Sequence, residues 1–204
     1  MPGRHRTSND RPRVTPPLVA DRYGAAMGSE RHGPWTWHSM NRLLDGDRFR
    51  AFTDEVTDPA GRFGTFDWIE VPDQVRVAAL TTDGQIYVVR EYQYLPRRVI
   101  WQLPGGDIGR LEEPATAAVR TAAQVGLAAG RWRLQGVVWP LPALTPARAH
   151  LWLAEDLQPG LEASGAAPMP LADAVAAVLD GTVGCAASAQ LILAVAAGTV
   201  LSNP

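Results

Sequence analysis

Asp107, Glu112 and Glu113 follow directly on the glycine pair Gly105-Gly106, and Arg120 stands a little over two helical turns beyond Glu112. Carboxylates placed like this can do two kinds of chemistry. In a dry cleft a carboxyl group can have its pKa raised into the working range and serve as a general acid or base. Beside an arginine it becomes half of an ion pair that holds backbone in place. Asp107, Glu112 and Glu113 are therefore the catalytic candidates. Glu112 also suits a buried structural pair with Arg120, and Glu113 suits a helix-start charge favoured by the dipole. Just upstream, Arg90, Arg97 and Arg98 offer planar forks for phosphate oxygens, or surface pairs with Glu91 or Asp107.

Other residues have a chemical reading and a plain one. Trp35, Trp37, Trp139 and Trp152 can offer a stacking face to a planar ligand, although tryptophan in an alternating strand is usually core. Trp37 and Trp139 are the two carried forward as ligand-binding candidates, with Arg90, Arg98, Gly105 and Gly106. His150 lies in an apolar strand and reads as a hydrogen-bonded structural histidine. Cys185 precedes an apolar helix and reads as a buried, inert thiol.

Elements must position these groups. Val75 to Leu80 and Ile86 to Tyr92 flank Asp83-Gly84, a strong hairpin signal. Val99 to Leu103 leads into the glycines. Pro114 suits the first position of a helix, because its missing N–H costs nothing there, and Ala115, Ala118, Val119, Ala122 and Ala123 make one narrow apolar face. Arg133 to Trp139 and Ala149 to Ala154 read as strands around a Pro-rich loop, Pro140 to Pro146. Leu171 to Leu179 and Ala187 to Val200 read as helices. Ahead of all this, Trp35 to His38, Arg48 to Val56 and Phe63 to Val71 alternate as half-buried strands do. Residues 1–31 show little apolar periodicity and are expected to form a disordered tail.

The whole-chain numbers bound the function. At 204 residues with 46% hydrophobic and 20% charged content, the chain suits one ordinary domain with a small appendage. A formal net charge of -2 argues against a dedicated nucleic-acid binder. Every basic residue is arginine and none is lysine, so Schiff-base chemistry is excluded. A single cysteine precludes an internal disulfide and suits a reducing cytoplasm. No apolar run reaches the roughly 18 residues needed to span a bilayer, and no apolar core follows the arginines of the N-terminus, so no secretory signal is expected.

The stretch Leu103 to Leu127 resembles the Nudix box. Gly106, Glu112 and Arg120 match its first three marks in type and spacing. Where the family carries Arg-Glu-apolar-x-Glu-Glu-x-Gly, this chain reads Arg120-Thr121-Ala122-Ala123-Gln124-Val125-Gly126. No Asp or Glu occurs between Glu113 and Glu155. In the family, glutamates on one helix face hold Mg²⁺, a cation that demands hard oxygen ligands. The resemblance runs from about Trp35 to Gly198 and is to the ADP-ribose and nucleotide-sugar pyrophosphatase branch, as in the tracts Gln85 to Tyr94, Leu144 to Leu157 and Leu179 to Ala189. It implies an α/β/α Nudix sandwich with a mixed sheet over residues 73–204, and an N-terminal β-segment over residues 32–72 that this branch exchanges between two subunits. It implies that basic residues near Arg90 and Arg98 grip a diphosphate, with Gln93 standing where the family often has another arginine. It also implies a catalytic glutamate in the loop Pro140 to Arg148, which contains none.

Three functions stay open on these residues. One is metal-independent acid–base chemistry on a small molecule, in a biosynthetic role, with no metal and no cofactor. The second is a non-catalytic ligand-binding or regulatory protein. The third is an atypical Mg²⁺-dependent hydrolase of ADP-ribose or a nucleotide sugar. The expected partners are a small-molecule ligand and a second copy in a homodimer, with neither nucleic acid nor membrane.

Overall fold

The computed structural model describes residues 29–158 and 165–198. Most of the expected tail, residues 1–28, lies outside the described residues, as do the last two positions of the final expected helix. Four antiparallel strands come first: β1 (Glu30–His32), β2 (Trp35–Asp45), β3 (Arg50–Thr57) and β4 (Phe63–Glu70), in that spatial order. The strands begin before the expected limit of the tail, because Glu30 and Arg31 pair with Trp37 and Thr36. Phe52 is 1% exposed and stacks on Trp68 at 4.5 Å between ring centroids. Arg50, buried on the same face, ties Asp45 and Glu70 together at 3.0 and 2.9 Å.

Next come β5 (Gln74–Ala79), β6 (Gln85–Gln93), β7 (Arg98–Gln102), β8 (Gly105–Asp107), α1 (Pro114–Gln124), β9 (Ala129–Val138), β10 (Ala149–Leu157), β11 (Ala166–Pro170), α2 (Leu171–Leu179) and α3 (Ala186–Ala196). One sheet is mixed, in the order β8-β5-β10-β9, with β5 and β10 parallel. The other is antiparallel, in the order β11-β6-β7. Strand alternation divides the core into two layers. Val75, Val77 and Ala79 pack with Ala117, Ala118 and Ala122 of α1, whereas Ala78, Leu151 and Leu153 pack with Leu191 and Ile192 of α3 and Ala174 of α2. The alanines let α1 approach the sheet closely. Gly126, at φ +77°, ends the helix in a conformation that costs glycine little, and the Leu127 N–H then donates to the Ala122 carbonyl at 3.0 Å.

Two further strands carry no periodic signal. β8 is Gly-Gly-Asp, a strand only because Gly106 pairs with Val75 and Gly105 with Arg76. β11 contains Pro168 and Pro170 but sits at a sheet edge, where a missing N–H removes no ladder bond.

Candidate functional site

The glycine turn delivers the chain from β8 into the loop before α1, and Arg120 reaches back across it. Arg120 Nε donates to Glu112 Oε1 at 2.8 Å and Nη2 to Glu112 Oε2 at 2.9 Å. Nη2 also donates to the Asp107 carbonyl at 2.9 Å, and the Gly109 N–H donates to Glu112 Oε2 at 2.8 Å. The Arg120 guanidinium and the Gly109 N–H together hold the Glu112 carboxyl at about 2. Glu112 is therefore an anion with both oxygens engaged, the opposite of the raised pKa an acid–base role requires. The pair is also less buried than expected, since the Arg120 side chain is 41% exposed.

Asp107 and Glu113 flank this brace and are both exposed. Gln74 Nε2 donates to Asp107 Oδ1 at 3.3 Å. Glu113 occupies the N-cap of α1 without a side-chain cap bond, while its carbonyl accepts from the Ala117 N–H at 3.0 Å. Where the resemblance implies metal-binding carboxylates, the structure places Thr121, Gln124 and Val125. Thr121 is 2% exposed, and its Oγ1 is buried without a hydrogen-bond partner, about where a side chain on Gly106 would press at 3.2 Å. Gln124 is exposed and Val125 packs into the α1 layer. Among the described residues no three His, Cys, Asp or Glu side chains are grouped so as to hold a metal ion.

The other ligand-binding candidates are spread over the molecule. Arg90 is exposed on β6, in register with Trp101, and pairs with neither Glu91 nor Asp107. Arg98 Nη2 reaches only the Gly181 carbonyl, at 3.5 Å. Trp139 is 44% exposed at the start of the long loop. Trp37 lies in the N-terminal sheet, stacked on His32 at 6.2 Å, a different sheet from that of the two glycines.

Three constellations escaped the sequence reading. Arg76 lies across Gly105, so that a Cβ there would collide with its guanidinium, and its Nε is 3.5 Å from Cys185 Sγ. Burial pushes the Cys185 thiol up, but the Arg76 charge and the Ser188 hydrogen bonds outweigh it and leave the thiol lowered. Cys185 is only partly buried, which corrects the expectation of a buried thiol. In the second, Arg148 Nε and Nη2 donate to Asp73 Oδ2 at 3.1 and 2.9 Å, and the Arg148 N–H donates to Oδ1 at 2.8 Å. His150 Nε2 lies 3.7 Å from Asp73 Oδ2. In the third, Gln93 and Gln102 both donate to Glu91 Oε2 at 2.9 Å. The partners in the first two are far apart in sequence, which is why spacing could not reveal them. The Glu91-x-Gln93 alternation was the one local signal available.

No family model matches the chain. Over 122 residues, 59% of this chain and 59% of the relative, it is 29% identical to an ADP-ribose pyrophosphatase of Mycobacterium tuberculosis (strain ATCC 25618 / H37Rv). Over 120 residues, 58% of this chain and 65% of the relative, it is 25% identical to an ADP-ribose pyrophosphatase of Bacillus subtilis (strain 168). The matched segment thus spans less than two thirds of either relative. A crystal structure of an ADP compounds hydrolase superposes with a TM-score of 0.69 at 17% identity, over 83% of this chain and 96% of that one. The chain is thus similar to ADP-ribose pyrophosphatases over part of their length and shares the fold of that hydrolase. In this Nudix-like chain the Gly109 N–H, Glu112 and Arg120 form the brace that holds the loop before α1, and no helix of the described residues is long and apolar enough to cross a membrane.

Proposed function

We propose that this Nudix-like chain binds a small molecule in the cleft beside Gly105-Gly106 and acts on it without a metal ion, by carboxylate acid–base chemistry in a biosynthetic role. The observation that carries this reading is the contrast between an intact brace and an unsuitable donor set. Arg120, Glu112 and the Gly109 N–H hold the loop, while α1 offers one buried neutral hydroxyl and one exposed amide where Mg²⁺ would need carboxylate oxygens. These residues do not fit the ion. With Glu112 held as an anion, Asp107 and Glu113 are the cleft carboxylates free to exchange protons with a ligand. Arg98 and Trp139 are the proposed ligand-contacting side chains, with Trp37 supplied by a second copy, whereas Arg90 leaves β6 on the face of Val88, away from α1, and is set apart from this cleft.

Non-catalytic ligand binding is the second reading, favoured by the solvent exposure of Asp107 and Glu113, which leaves neither in a dry setting. The relatives' names suggest the third, hydrolysis of ADP-ribose. Incubating pure protein with ADP-ribose and Mg²⁺ separates the third reading from the other two. The expected result is no metal-dependent release of AMP, and turnover at an enzyme-like rate that chelator abolishes would overturn the proposal. We also infer a cytoplasmic homodimer, supported by the single cysteine and by the exposed aromatic residues of the N-terminal sheet.

A further inference from the structure

On the sheet face turned away from α1, Arg90 lines a concavity of about 330 Å³ with Val88, Trp101 and Ala167, bordered at the edge strand by Gly165 and by Ala166, whose own side chain packs in the α1 layer. Strand alternation assigns the face. Val88 is 3% exposed and belongs to the α2–α3 layer, whereas Tyr87 and Val89 on the opposite face pack toward α1. The sheet thus separates the concavity from the Glu112–Arg120 brace, and a ligand held there is independent of the cleft chemistry proposed for Asp107 and Glu113.

Arg90 and Trp101 are register partners on β6 and β7, so their side chains leave the same face side by side. The Trp101 backbone is held on its other edge as well, where its N–H donates to the Thr182 carbonyl at 3.1 Å and it bridges Val183. The indole is therefore a positioned wall. Among the described residues the Arg90 side chain has no recorded hydrogen bond or ion pair. The adjacent carboxylate, Glu91, points to the opposite face, where Gln93 and Gln102 occupy it.

We propose that this concavity binds a planar organic anion, an aromatic ring system carrying one carboxylate. The ring lies against the Trp101 indole and the apolar floor of Val88 and Ala167, since aromatic faces stack favourably. The carboxylate meets the Arg90 fork, whose planar donors match its two oxygens. The lining is apolar apart from that single cation, which suits one negative charge and disfavours a multiply charged phosphate. The volume is at the small end for ligand sites, enough for a one- or two-ring molecule.

The test titrates the full chain with 2-naphthoate while following the Trp101 indole N–H resonance, assigned by its disappearance in Trp101→Phe. The expected result is a saturable shift with a sub-millimolar Kd. Arg90→Gln should weaken binding at least tenfold with the remaining spectrum unchanged, and neutral 2-naphthamide should bind the native chain at least tenfold less tightly than 2-naphthoate. Arg62→Gln, a change in the exposed turn between β3 and β4, should leave the Kd as it was. No saturable shift of the Trp101 signal would overturn the proposal. So would equal affinity in Arg90→Gln, or equal affinity for the amide, since either result reduces the contact to a ring on an apolar surface.

Discussion

Glu112 meets Arg120 through both of its oxygens, and a third donor, the Gly109 N–H, completes the set. Because the Arg120 side chain is 41% exposed, water screens the pair and its worth is modest. Arg120→Ala should lower Tm by about 2–4 °C, and calorimetry showing a loss above 10 °C would mean that the pair is desolvated after all. The Cys185 thiol tests a different contact. Arg76 is the charge that holds it down, so Arg76→Ala should move the midpoint of its iodoacetamide alkylation profile to higher pH. An unmoved midpoint would assign the lowering to Ser188 alone. Gly105→Ala should act in the same direction, because the new methyl group displaces the Arg76 guanidinium.

Between elements, Asp73 joins three pieces of chain. Its carboxylate takes the Arg148 N–H and guanidinium at the head of β10, its carbonyl accepts the Ile108 N–H after β8 at 2.8 Å, and it directly follows the N-terminal sheet. Burial pushes its carboxyl up, but His150 and Arg148 outweigh that and hold it at about 2 against an ordinary 3.8. A folded-state pKa below the unfolded one stabilises the fold above the unfolded value. The contribution is therefore complete above about pH 4 and is lost as the pH falls toward 2. After allowance for solvent screening it is on the order of 1–2 kcal/mol. Asp73→Asn should cost about that much at pH 7, and urea titrations should show a shallower fall in stability between pH 4 and pH 2 than in the native chain. Equal slopes for the two proteins would remove Asp73 from the account.

At the scale of the molecule, the N-terminal sheet leaves apolar surface uncovered: Phe63 is 68% exposed, Leu43 62% and Phe66 42%. The Ile69 N–H donates to the Leu144 carbonyl at 2.9 Å, which ties the sheet to the long loop. Four strands bearing that much exposed apolar surface suit burial against a second copy, as obligate dimer interfaces are large and apolar. A chain starting at Ser29 should show a dimer mass by light scattering, and a clean monomer at micromolar concentration would rule the interface out. A start at His32 would remove Glu30 and Arg31 from β1 and confuse the result. If the dimer forms, Trp37→Ala should weaken ligand binding in the cleft without unfolding the core.

Periodicity alone settled much of this protein. The alternation in β5, β6 and β10 and the alanine face of α1 were readable because burying one face imposes a repeat of two on a strand and near four on a helix. Gly106, Glu112 and Arg120 were readable through the resemblance to the Nudix box, and the Glu112–Arg120 contact it implies lies within one loop and the helix it enters. What the sequence could not specify are contacts made between distant segments. β8 is a strand only through its pairing with β5, and β11 only through its place at a sheet edge. Arg148 beside Asp73, and Arg76 beside Cys185, are brought together by the parallel alignment of β5 with β10 and by the docking of α3. The two faces of β6, one carrying Arg90 and the other Glu91, acquire different chemistry only when the helices pack, because the identity of each layer is a property of the assembled sandwich.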